Sequence, residues 1–166
     1  MVYEIISDGL LAAMAAIGFG AISNPPKRSY LYIAILAAVG HALRFFLMDS
    51  LSFNIATATF CASLSIGALS LWFGRLSYCP MTVLYIPALL PMVPGMYAYK
   101  TIFALIQFMH HHKDAALASM DLQVMMSNLV VTVSTVFLLA LGASIFIFIM
   151  PGRVYSMTRR KLSNKI

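Results

Sequence analysis

LQVMMSNLVVTVSTVFLLALGASIFIFIM, residues 122–150, contains no charged side chain. A membrane β-strand would alternate apolar and polar residues in segments of about ten. This run is continuous and far too long for that. An α-helix needs about 20 apolar residues to cross a hydrocarbon core of about 30 Å, so the stretch is predicted to be a membrane-spanning helix. The whole chain follows the same pattern. It has 166 residues, 61% hydrophobic and 10% charged, with a mean hydropathy of +0.90. A soluble domain carries about a quarter of its residues as charges. The outer surface here must therefore face lipid, and the predicted fold class is an all-α integral membrane protein.

Working outward from that run, four more spans are predicted at about 2–22, 30–48, 53–73 and 82–109. SNPPKR, MDSLSFN, GRLSYCP and HHHKDAALASMD separate them as turns or polar connections. Five spans make one transmembrane domain over 1–152, followed by a basic tail over 153–166. The N-terminal MVYEIISDGLL lacks the positive start of a signal peptide, so the first span is expected to be retained. Cys61 and Cys79 give no disulfide framework and are expected to be reduced packing residues. The net charge of +6 does not indicate nucleic acid, because the basic residues sit between spans and in the tail.

The fourth span is the unusual one. IPALLPMVPG (86–95) places Pro87, Pro91, Pro94 and Gly95 within ten residues. Each interior proline removes a backbone hydrogen bond and clashes with the preceding turn. In lipid, the freed carbonyls need partners within the protein or in a wet cavity. A break at Pro91–Gly95 is expected, with a new half-helix starting near Met96 whose N-terminal N–H groups favour a negative group. A simple proline kink is the alternative. Lys100 follows in MYAYKTIF, either facing an interior or reaching the outer interface beside Tyr97 and Tyr99.

The second span carries GHALRFFLM, with His41 and Arg44 on one helix face. His41 lies about 16 Å along the helix from Tyr30, near mid-membrane. Arg44 needs a carboxylate, carbonyls or a bound anion. Glu4 and Asp8 are the expected carboxylates, and Asp49 is a poor partner on spacing. The alternative is a structural pair that holds two helices together. The third span is rich in small residues, with Ala58/Ala62 and Ser63/Gly67 at spacing four, which allows close helix approach. Asn128, Thr132 and Thr135 form a polar stripe on the last span, suited to a pathway or to hydrogen bonds between helices. His110, His111 and His112 are consecutive, not at the spacing of three or four that helical metal ligands prefer, and read as a solvated loop. No metal or cofactor site and no nucleophile–base motif is recognised.

GHALRFFLM and PMVPGMYAY together resemble the threonine/serine exporter superfamily, and within it the small-subunit (YjjB-like) branch. The resemblance is carried by Gly40, His41, Arg44, Pro91, Met92, Pro94, Gly95, Ala98 and Tyr99, with Asn128 as a further match. It implies an inner-membrane exporter in which a small subunit works with a larger one. The implied solutes are threonine and serine, or a dicarboxylate such as succinate. The candidate substrate-binding residues are His41, Arg44, Pro91, Pro94, Gly95, Tyr99, Lys100 and Asn128. His41 would suit a coupling proton, since histidine's reference pKa is about 6.5.

The chain shows no internal repeat and holds about half the spans of a two-halved transporter, so a larger subunit or a second copy is the expected partner. Two other readings stand beside transport of a small polar solute. One is a membrane enzyme acting on lipid head groups with His41 as base, which lacks a nucleophile or metal partner. The other is a purely structural subunit, which the interior His41 and Arg44 argue against.

Orientation follows from the Lys and Arg count. Lys27, Arg28, Arg75, Arg153, Arg159, Arg160, Lys161 and Lys165 fall on one side of a five-span chain; Lys113 falls on the other. This predicts the N-terminus outside and the C-terminus in the cytoplasm. Reporters fused at each end should report opposite sides, and finding both on one side would exclude five spans.

Overall fold

The computed structural model describes residues 2–150. The basic tail predicted over 153–166, including Arg153, Arg159, Arg160, Lys161 and Lys165, lies outside the described residues. Six α-helices follow in order: α1 (Val2–Ile22), α2 (Ser29–Ser50), α3 (Ile55–Ser77), α4 (Met81–Leu89), α5 (Gly95–His110) and α6 (Ala115–Ile149). A 3₁₀ turn, Leu90–Met92, continues α4. The described residues contain no strand. Helices α1, α2, α3 and α6 are each long and apolar enough to cross a membrane, and α4 with α5 makes a fifth, broken candidate bent by 52°.

Helix ends follow local chemistry. Asn24 closes the first turn with φ at 44°, a left-handed conformation that Asn tolerates better than most residues. Tyr78 ends α3 in the same region, at φ 52°, and its N–H bonds to the Gly74 carbonyl. Asp114 accepts hydrogen bonds from the N–H groups of Ala116 and Leu117, so α6 starts at Ala115. The predicted polar connection of 110–121 is thus much shorter than expected. An acidic cap followed by Ala-Ala-Leu extends the helix to 35 residues. That is about 52 Å, well beyond a hydrocarbon core of about 30 Å.

Packing centres on α3, which touches α2, α4 and α6. Lipid is as apolar as leucine, so helices associate through close fit rather than through exclusion of water. The small residues of α3 supply that fit: Ala58, Ala62, Ser63 and Gly67 are all buried. Gly142 of α6 meets Ser63 and the Phe60 carbonyl, and Gly67 of α3 meets Ala143 and Phe146. Ile33, Leu36, Ile66, Leu84 and Met92 fill the space between α2, α3 and α4. Both cysteines are free, Cys79 buried and Cys61 partly so.

Glycine positions test this packing. A Cβ at Gly142 would lie 3.0 Å from the Phe60 oxygen and 3.2 Å from the Leu64 nitrogen, both backbone atoms with little room to yield. Gly142→Val should destabilise the protein by about 1–3 kcal/mol, as overpacking does, seen as a lower melting temperature in detergent. Gly95→Ala should leave melting unchanged, because a Cβ there meets nothing within 4 Å.

Candidate functional site

Three prolines create the site by removing hydrogen-bond donors. Pro94 has no N–H, so the helical ladder cannot continue past the 3₁₀ turn. Instead the Val93 N–H bonds to the Leu90 carbonyl, and the Gly95 N–H bonds to the Val93 carbonyl at 2.8 Å. The carbonyls of Pro91 and Met92 are left facing the neighbouring helices. Arg44 of α2 reaches this break, and its Nη1 donates to the Met92 oxygen at 2.9 Å.

His41 lies one turn earlier on the same face of α2 and is only 8% exposed. Its Nδ1 is 3.1 Å from Asp8 Oδ2 on α1. With Asp8 as acceptor, the Nδ1 hydrogen is the one donated. The other ring nitrogen, Nε2, is fully buried, lies toward the Pro91 carbonyl, and has no hydrogen bond of good geometry. Asp8, His41, Arg44 and the carbonyls of the break therefore tie α1, α2 and the end of α4 together.

Glu4 and Asp8 were the expected partners of Arg44. The structure gives Asp8 to His41 and gives Arg44 a carbonyl. Asp8 still acts on Arg44 through space. Arg44 keeps guanidinium donors beyond the one used by Met92. It faces an open pocket of about 320 Å³, lined by Asp8, Arg44, Phe45, Met48 and Asp49. That volume is at the lower end of small-molecule sites, about 300–1,000 Å³. Asp49, a poor Arg44 partner on spacing alone, shares the pocket wall with it.

The remaining candidates separate into two groups. Pro94 is buried and Pro91 partly buried, both at the break beside Arg44. Gly95 begins the half-helix as expected, one residue before Met96. It is not a point of close approach, however. That role falls to Gly40, whose Cβ would collide with Ile66 and Met92. Tyr99 is 63% exposed and stacks on Phe103 with ring centroids 6.1 Å apart. Lys100 is exposed beside it. Asn128 returns a hydrogen bond to the Val124 carbonyl of its own helix at 2.7 Å, and Thr132 does the same to Asn128 at 2.8 Å. Asn128 and Thr132 thus bond within their own helix. Thr135 is buried with its hydroxyl unpartnered. His111 is not simply solvated: its Nδ1 pairs with Asp121 Oδ2 at 2.8 Å. Among the described residues no cluster suits a metal ion.

Comparison with known proteins gives a family. The profile described as "Threonine/Serine exporter, ThrE" matches residues 8–149. An uncharacterized protein of Haemophilus influenzae is 32% identical over 152 residues, covering 92% of this chain and 48% of that protein. The chain thus spans about half the length of this relative. No solved structure matches the chain.

The bond from Arg44 to the break has a measurable consequence. Met92 is fully buried, and Arg44→Ala would leave its carbonyl without a donor. An orphaned buried acceptor costs about 1–3 kcal/mol, so melting in detergent should fall. Arg44→Lys retains a donor and should melt close to wild type. Equal melting of Arg44→Ala and wild type would mean that the bond does not stabilise the fold.

Proposed function

The chain belongs to the threonine/serine exporter family, and on that premise we propose that it is one half of an inner-membrane exporter of a small zwitterionic amino acid such as threonine or serine. The observation that carries this reading is the mixed charge of the pocket. Arg44 offers a planar fork able to hold a carboxylate through two hydrogen bonds. Asp8 and Asp49 on the same wall offer acceptors for an ammonium group. An amino acid presents both groups on one carbon. A dicarboxylate such as succinate presents two anions, to which the pocket offers one arginine and two carboxylates. The charge pattern therefore favours the amino acid.

The pocket is open on this chain, lined only by α1 and α2, which suits half of a site. A larger exporter subunit closes it, in keeping with the Haemophilus relative, of which this chain matches 48%. The N-terminus lies outside and the C-terminus in the cytoplasm, as the charge count indicates. The chain carries a solute, in keeping with its exporter family.

Export from cells loaded with threonine, serine or succinate tests the reading, with membrane abundance measured alongside. Arg44→Lys keeps the charge and loses the fork; export of threonine should drop about tenfold or more, a loss of one good charge-assisted bond, at wild-type abundance. Asp8→Asn should also impair amino-acid export while leaving any succinate flux no lower. Wild-type threonine export by Arg44→Lys would sink the carboxylate role of the fork. Succinate efflux without threonine efflux would replace the amino acid by a dicarboxylate.

A further inference from the structure

Helix α5 and the N-terminal half of α6 leave the body of the bundle together. The C-terminal half of α6 lies on α3, through Gly142 and Phe146. The bend of 52° turns α5 away from the line of α4. Among the described residues, α6 is the only extensive packing partner of α5. The His111–Asp121 pair at the far end fixes α5 against the first half of α6. These two stretches form a two-helix arm that starts at Gly95, immediately past the break that holds Arg44.

The outer face of this arm is poorly matched to lipid. Met96, Tyr99, Lys100 and Phe103 recur at the spacing of one helix face, and all four are exposed. Lys100 forms no ion pair or hydrogen bond among the described residues. About 15 Å of helix separates it from the end of α5 at His110. Ionisable side chains within spans face protein or a wet cavity and find a partner there. On α6, Gln123 is exposed and likewise has no hydrogen bond among the described residues.

A second copy of this chain offers few carboxylates to Lys100. Its acidic residues are Glu4, Asp8, Asp49, Asp114 and Asp121. Asp8 is held by His41, Asp114 caps α6 and Asp121 pairs with His111. Glu4 and Asp49 lie in the terminal turns of α1 and α2. Asp49 is the one without an ion pair or hydrogen bond among the described residues, and it faces the pocket of Arg44. The Haemophilus relative, by contrast, has a further half to which this chain does not correspond.

We infer that the α5–α6 arm is the surface on which the other half of the exporter docks, and that this partner sets a carboxylate against Lys100. The partner is a membrane region equivalent to the unmatched part of the relative. The inference rests on the two-half reading of the function. Because the arm starts at the break, a partner seated on it lies next to the open pocket of Arg44 and can close it.

A photo-crosslinking side chain placed at Phe103, with controls at Met14 on α1 and Trp72 on α3, tests this in membranes of the native cell. The expected result is one main protein adduct from Phe103, identified by mass spectrometry as a chain similar to the unmatched half of the relative. Lys100→Glu should cut its yield about tenfold or more, because like charges then meet in a desolvated contact. Lys100→Arg should preserve it. Four results would overturn the inference. An adduct with a second copy makes the arm a homo-oligomer face. Unchanged yield in Lys100→Glu removes the carboxylate. The partner at Met14 or Trp72, with lipid alone at Phe103, moves the docking surface and leaves the two-half reading intact. Lipid alone at all three sites removes both.

Discussion

Everything that distinguishes this bundle from a plain set of apolar helices depends on the carbonyls freed at Pro91–Gly95. Backbone acceptors in a membrane cannot be left to water. Proline cannot donate, so the acceptors must be met by side chains from another helix. Arg44 meets the Met92 carbonyl at 2.9 Å, and His41 lies against that of Pro91. The same requirement explains why Arg44 is kept deep in α2, where insertion alone would select against it. His41 in turn needs an acceptor, and α1 supplies Asp8 at 3.1 Å. One backbone defect thus recruits three helices.

That network also leaves chemistry to spare. An arginine fully enclosed by carbonyls would be structural. Arg44 uses one nitrogen on Met92 and turns toward an open pocket that also holds Asp8 and Asp49. Charges taken out of water carry a desolvation penalty, which their mutual attraction repays only where further hydrogen bonds satisfy the remaining donors and acceptors. The same logic applies at Lys100, on the other side of the break. Exposure of both features supports the proposed half-assembly, and the tight fit of Gly142 and Gly67 between α3 and α6 gives it a rigid frame.

Much of this was legible in the residues. Hydropathy and length alone set the helical class, and α1 is a helix over Val2–Ile22. The prolines announced the break, and spacing placed His41 and Arg44 on one face. The start of α6 was misjudged by seven residues, since Ala-Ala-Leu-Ala carries no strong membrane signal; the cap at Asp114 was the available cue. The hydrogen-bond partners of the Asn128–Thr132–Thr135 stripe were not legible. Short polar side chains in a helix can satisfy themselves on the preceding turn, and two of these three do.

The sequence by itself determined the solvent, the helical class and the place where a helix must fail, because these depend on transfer energies and on a missing N–H, both properties of single residues. Tertiary structure alone decided which acceptor each buried polar group received. Asp8 went to His41 rather than to Arg44, Asp49 joined the pocket, and Gly40 rather than Gly95 became the tight position in the packing. Those outcomes turn on distances of a few ångströms between helices far apart in the chain, and on how α1, α2 and α4 rotate about their axes when they pack. Periodicity specifies which residues share a face; only the packed neighbours determine what that face meets.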